Sequence, residues 1–134
     1  MKTLLAILTA LPRALAYELF AERPARRLNR RAGELRQKYS KEPKLAYLDE
    51  AIALMEEAAN RVQKGSPNRA VYLTNLGRAL STRFRATLRR EDIDRAVARL
   101  QEAVDGTPTN SPDRASRVEA CNRAIRDRDG AGRS

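Results

Sequence analysis

The chain contains no histidine and no tryptophan, and its single cysteine is Cys121. Without imidazole there can be no Ser–His or Cys–His nucleophile pair, no histidine acid–base catalysis and no histidine-containing zinc site. One cysteine cannot close an internal disulfide or build a multi-cysteine metal site, so Cys121 is expected to pack as a small apolar residue. Glycine-rich phosphate loops are missing too: neither G-x-G-x-x-G nor G-x-x-x-x-G-K-[S/T] occurs. These absences leave no catalytic, cofactor or metal site to nominate, and the expectation is a chain that is not an enzyme. Aromatic residues make up only 4% of the sequence, too few for the core of a β-sandwich or barrel. No apolar run approaches the ~20 residues needed to span a bilayer.

What is abundant is alanine, leucine, arginine and glutamate, all of which favour helix. At 134 residues the chain is about one domain, long enough to bury a modest core. Its formal charge of +10 is unevenly spread: +7 over residues 1–45, +4 over 46–90 and −1 over 91–134. A basic front half points to an anionic partner or surface near the N-terminus.

The sequence repeats itself at an offset of 45. Ser66-Pro67-Asn68-Arg69-Ala70 returns as Ser111-Pro112-Asp113-Arg114-Ala115. Asp49, Ala51, Ala53, Glu57 and Ala58 meet Asp94, Ala96, Ala98, Glu102 and Ala103 at the same offset, and Ile52 and Met55 meet Val97 and Leu100. More faintly, Leu28, Leu35, Tyr39 and Leu48 precede Leu73, Leu80, Phe84 and Ile93. The pattern predicts a weak first helix, a second helix completing that unit, one full pair and a final unpaired helix.

Each half of the unit has helical periodicity. Ala70, Leu73, Leu76, Leu80 and Phe84 step by three or four along one face, and Ile93, Ala96, Val97, Leu100, Ala103 and Val104 form a second stripe. Ser66 and Ser111 are expected N-caps, with Pro67 and Pro112 at the first helical position, where a missing N–H costs nothing. Gly65 and Gly106 mark stops, Pro108 follows the second, and Glu91, Asp92 and Asp94 favour a new helix N-terminus after Ala86–Arg90. Helices joined by short turns cannot each hide a stripe alone, so they are expected to pair and stack.

In these residues the chain resembles the tetratricopeptide repeat family. Leu73-x2-Leu76-Gly77-x2-Leu80 is followed by Ala96-x3-Leu100-x2-Ala103 and then Pro108, against the family pattern W-x2-L-G-x2-Y, A-x3-F, A and a closing P. The unit exceeds the family's 34 residues, the surplus falling between Gly77 and Ala96. It is similar to the long-repeat variety whose arrays flank CHAT-type peptidase or NTPase domains. Asn75-Leu76-Gly77, Leu80, Arg83-Phe84 and Ser111-Pro112-Asp113-Arg114-Ala115 carry that likeness. No peptidase or NTPase motif accompanies it. The resemblance implies an all-α chain, a short right-handed α-solenoid of five or six helices, with small residues Gly77, Ala96 and Ala103 where helices approach closely. It implies units over residues 25–65, 66–110 and a partial 111–128 within a repeat domain at 23–128, and the polar, glycine-containing end predicts a disordered tail at 129–134. The final unit is either an atypical cap or the edge of a longer array with an exposed apolar flank.

The resemblance also implies a partner: a peptide or protein held on the face of the first helix of each pair. Thr74, Asn75, Arg78, Ser81, Glu119 and Arg123 are the candidate contact residues, with Arg78 and Asn75 suited to a carboxylate or an extended backbone. Arg23, Arg26, Arg27, Arg30, Arg31 and Arg36 form the densest basic cluster. Arg23, Arg27, Arg30 and Arg31 share a helix face that could meet RNA phosphates or an anionic membrane, although a solvated face is the plainer reading. Asp49, Glu56 and Glu57 fall together on one helix, but the sequence supplies no second group to fix them in a cleft for chemistry. Residues 1–22 admit three readings. They could be a helix packed through Leu4, Leu8, Leu11, Leu15 and Leu19, a secretory signal ending near Ala16, or an amphipathic transit peptide. The first is favoured, because Pro12 and Arg13 interrupt the signal pattern and Leu19 and Phe20 extend the stripe; it implies a cytoplasmic chain. Exposed terminal helices could also support self-association.

Overall fold

The computed structural model describes residues 3–132, and among them there is no β-strand. Two short helices, α1 (Leu4–Thr9) and α2 (Arg13–Tyr17), precede a π-helical turn over Glu18–Glu22 that runs without a break into α3 (Arg23–Lys41). There follow α4 (Leu45–Arg61), α5 (Pro67–Thr87), α6 (Arg90–Asp105) and α7 (Arg114–Ala131). From α3 onward each helix packs on the next in order, and α5 also touches α7. The expected sequence of a first helix, its completing partner, a full pair and a last helix is therefore present as α3, α4, α5–α6 and α7. No helix among the described residues is long and apolar enough to cross a membrane.

The core explains the pairing. Leu35 of α3, Met55 of α4, Leu76 and Leu80 of α5, Ile93 and Leu100 of α6 and Cys121 of α7 are all buried in one apolar cluster. A second, smaller cluster joins Ala25, Ala58, Val62, Tyr72, Leu73 and Ala103 at the opposite ends of α3 to α6, with Tyr17 and Leu28 packed against it. Helix α5 lies between α4 and α6, and Tyr72, Thr74, Ala79 and Ser81 are buried on it besides the apolar stripe. That two-sided burial is why its amphipathic period is weak. At Gly77 a side-chain carbon would fall 2.7 Å from Leu100 Cδ2, so the missing Cβ lets α5 and α6 approach at the expected point.

Helix ends follow the sequence less closely. Ser66 caps α5, its Oγ accepting from Asn68 N, with Pro67 at the first position. Ser111 makes the equivalent bond from Asp113 N at 3.2 Å, yet the regular helix starts at Arg114 because Pro112 and Asp113 stay in a turn. Neither Gly65 nor Gly106 adopts a left-handed backbone; the one positive φ among the described residues belongs to Leu88, at φ 62° and ψ 21°. There it ends α5 by donating from its N–H to the Phe84 carbonyl at 2.6 Å, its side chain 74% exposed.

Three expectations are corrected. Helix α7 continues to Ala131, so the tail expected from residue 129 is helical up to that point, while 133–134 lie outside the described residues. Its outward residues, Ser116, Glu119, Asn122, Arg123 and Arg126, are polar, and no large apolar side chain of α7 is exposed. The outward side of α7 is therefore polar, without the exposed apolar flank that one reading expected. The N-terminal stripe packs only in part: Leu4 is 73% exposed and Leu15 also faces solvent, while Leu11 and Leu19 are half-buried. Pro12 breaks the helix that would have aligned them, and the Leu8 side chain lies outside the described set. Attachment to the body instead begins at Tyr17, whose hydroxyl accepts from Gln63 N at 2.7 Å.

Candidate functional site

Helices α3, α5 and α7 line one continuous groove, made of three adjoining depressions of about 140, 320 and 560 Å³. Arg78 and Ser116 are shared by the first two, and Arg36 and Thr82 by the second and third. Four of the six expected contact residues, Arg78, Ser81, Glu119 and Arg123, meet in the central depression. Thr74 and Asn75 lie in the neighbouring one. The first helices of successive units therefore do converge on a common face.

Individually these residues differ from expectation. Thr74 and Ser81 are buried, because α5 is covered on two sides, and Thr74 Oγ1 donates to the Ala70 carbonyl at 2.7 Å. They shape the floor and do not reach outward. Asn75 Nδ2 donates to Asn29 Oδ1 at 3.1 Å, tying α5 to α3, and Arg78 Nη2 donates to Ser116 Oγ at 3.3 Å, tying α5 to α7. Glu119 pairs with Arg126 at 3.1 Å and Asp113 with Arg117 at 3.7 Å, so both carboxylates lining the groove are already engaged. Arg36, Arg78 and Arg123 have no carboxylate partner among the described residues, while Arg85 is held by Asp127 at 2.9 Å. Burial, and after it the like charge of Arg78, pulls the Arg36 pKa below the ordinary arginine value. The groove thus carries uncompensated positive charge at its centre.

Sequence reasoning placed Arg36 only in the general basic cluster and passed over Thr82 and Ser116. The repeat register offered a signal: Arg36 lies 45 before Ser81, and Arg123 lies 45 after Arg78. The exposed basic residues Arg23, Arg26, Arg27, Arg30 and Arg31 stand apart from the groove on the outer side of α3. Arg26 pairs with Glu18 and Arg31 with Glu34; Arg23, Arg27 and Arg30 pair with no acid among the described residues.

The remaining charges are structural. The arginine of the repeated S-P-[N/D]-R-A motif reaches back to cap the preceding helix. Arg69 Nη1 donates to the carbonyls of Ala59 and Val62, and Arg114 Nη1 to those of Val104 and Thr107, each pair offset by 45. These carbonyls lie at a helix C-terminus, where intrahelical partners run out and positive charge is favoured. Arg69 Nη2 also holds Glu102 at 2.9 Å, and this hydrogen bond keeps the Glu102 carboxyl below its usual pKa. Arg83 grips Asp92 through Nε and Nη2 at 2.9 and 2.8 Å and Asp49 through Nη1 at 2.9 Å, bracing α5 against α6 and α4. Glu56 is taken by Arg95 and Arg99, and Glu57 by Arg61, so these acids sit in separate ion pairs. Among the described residues no three acidic or cysteine side chains gather into a metal-ligand set. Cys121 is 3% exposed, and burial, then Asp105, raises its thiol pKa.

Comparison with family models, with curated proteins and with solved structures returned no match.

Proposed function

We propose that this chain is a non-catalytic, tetratricopeptide-like interaction module that holds an extended acidic segment of a protein partner in the groove between α3, α5 and α7. The observation that carries this reading is the set of guanidiniums without carboxylate partners, Arg36, Arg78 and Arg123, contributed by three different helices to one depression. Arg23, Arg27 and Arg30 also lack an acid among the described residues, but they lie along one exposed helix, whereas Arg36, Arg78 and Arg123 are brought from three helices to one depression where a ligand has room. Arg presents planar donors that match a carboxylate. Asn29 and Asn75 offer amides suited to an extended backbone. The convergence of first helices supports a solenoid-like stack in the sense of the resemblance. On this reading the chain works in the cytoplasm, where a lone buried thiol stays reduced.

The test is fluorescence anisotropy with matched acidic, neutral and basic extended peptides against the intact chain. Acidic peptides should bind, and Arg78→Ala and Arg123→Ala should each weaken binding by about tenfold while leaving helicity by circular dichroism unchanged, since a hydrogen bond to a charged group contributes about 1.5–3 kcal/mol. Equal affinity for all three peptide classes, or binding indifferent to both substitutions, refutes the assignment.

A further inference from the structure

The outer side of the N-terminal third has a composition that the groove does not explain. Of the large apolar side chains exposed among the described residues, Leu4, Leu5, Ile7, Leu15 and Phe20 all precede residue 21, leaving only Leu45 and Leu88 elsewhere. Phe20 is 57% exposed in the π turn that leads directly into α3. From it, Arg23, Arg27, Arg30 and Arg31 follow at helical intervals along one exposed face of the same continuous helix. Of these, Arg31 is met by Glu34 at 3.4 Å, but Arg23, Arg27 and Arg30 pair with no acid among the described residues: Glu18 is taken by Arg26, and Glu22 is buried, accepting from Ser66 Oγ at 2.6 Å and Asn68 Nδ2 at 2.9 Å.

We infer that this surface is a second docking site, separate from the groove, through which the chain lies on an anionic lipid membrane. Phe20, at the head of a face that carries the unpaired Arg23, Arg27 and Arg30, matches the two-layered chemistry of an anionic bilayer surface. The guanidiniums meet headgroup phosphates and carboxylates, and Phe20 enters the acyl boundary, with the exposed Leu4, Leu5 and Leu15 preceding it along the chain. Two other occupants fit less well. A second copy joined by a two-fold axis would set Arg23, Arg27 and Arg30 against their own equivalents. A single-stranded nucleic acid would satisfy the cations, but it finds one aromatic ring in place of a stacking series and leaves the leucines in water. Attachment to the folded body through Tyr17 and Glu22 leaves the outward face of the helix open while fixing its orientation.

The experiment is co-sedimentation of the intact chain with vesicles of phosphatidylcholine alone and of phosphatidylcholine mixed with phosphatidylserine, across a salt series, with a single-stranded RNA oligomer in a parallel binding assay. Binding is expected to the phosphatidylserine vesicles only, and to fall as salt rises. Each basic residue near such a surface contributes about 1 kcal/mol, so Arg27→Gln combined with Arg30→Gln should lower partitioning about thirtyfold. Phe20→Ser should lower it about tenfold through lost apolar insertion. Arg78→Ala, in the groove, should change nothing, and all variants should keep wild-type helicity. Equal binding to both vesicle types, partitioning unmoved by either α3-face variant, or capture of the RNA with no capture by vesicles overturns the inference.

Discussion

Replacing Gly77 by alanine is a sharp test of how α5 and α6 are held together. In an exposed helix the change would stabilise by about 1 kcal/mol, because alanine is the better helix former. Here the added carbon would lie 2.7 Å from Leu100 Cδ2, 3.2 Å from Cδ1 and closer still to Cγ. Carbon contacts are optimal near 3.5–4.0 Å, so roughly 1 Å of space must open. Leu100 is 1% exposed and its Cγ is a branch point, so the relief has to come from an off-rotamer side chain or from separating the helices. Overpacking of this kind costs about 1–3 kcal/mol. Set against the propensity gain, and weighted to the upper end by the branch-point clash, the expected net loss is about 1–2 kcal/mol. That corresponds to a drop in Tm of roughly 3–8 °C for a chain of this size.

Urea unfolding followed by circular dichroism measures the loss directly, and two companions isolate its cause. Gly33 sits in α3 with nothing within 4 Å of an added Cβ, so Gly33→Ala should stabilise by about 0.5–1 kcal/mol. Leu100→Ala alone should cost about 2–5 kcal/mol, but the double variant with Gly77→Ala should cost no more than Leu100→Ala, since the new methyl enters the vacated space. A stabilised Gly77→Ala, or additivity in the double-mutant cycle, would refute the close-approach argument.

Leu88→Gly should stabilise by about 1 kcal/mol, read from the urea midpoint, because Leu88 holds a left-handed backbone that disfavours a Cβ and its exposed side chain buries little; a loss instead would mean the leucine packs on something. Arg83→Met should cost about 2–4 kcal/mol by stranding the buried Asp92, with Arg83→Lys recovering only part because the two-pronged grip is lost; a neutral result refutes the bracing role. Glu102 has a folded pKa below its unfolded value, so its contribution is full above the unfolded carboxylate range and is lost as pH falls through the folded pKa. Glu102→Gln should therefore flatten the acid limb of stability below about pH 4–5 and leave the alkaline side alone, and an unchanged acid limb would count against the Arg69 bond as the cause. Cys121 should react with iodoacetamide only as fast as the chain opens, since burial both hides the thiol and raises its pKa; rapid labelling of the native protein would contradict its place in the core.

Much of the fold is legible in the chain because helical periodicity and the 45-residue register are local and additive properties. The stripes through Leu73, Leu76, Leu80 and through Ile93, Ala96, Leu100 are buried as their spacing requires, and Gly77 lies at the close approach. The candidate groove was partly legible, since Arg78, Glu119 and Arg123 meet in it, but Thr74 and Ser81 fall inside the packing of a helix covered on two faces. The N-terminal stripe misled for a related reason: periodicity states which side chains could be buried together, and Pro12 removes the straight helix that would present them.

The sequence by itself therefore determined an all-helical chain, its repeat and its buried stripes. Only the tertiary structure decided which charges are spent. Arg69 and Arg114 cap the helices before them, Arg83 braces Asp92 and Asp49, and Glu22 crosses to Ser66 and Asn68, whereas Arg36, Arg78 and Arg123 are left without an acid. The physical reason is that hydrophobic burial follows from spacing along one helix, but a charge is satisfied by whatever group the packing of distant segments brings within about 3 Å of it. Where that packing supplies no counter-charge, the guanidinium stays without an acid.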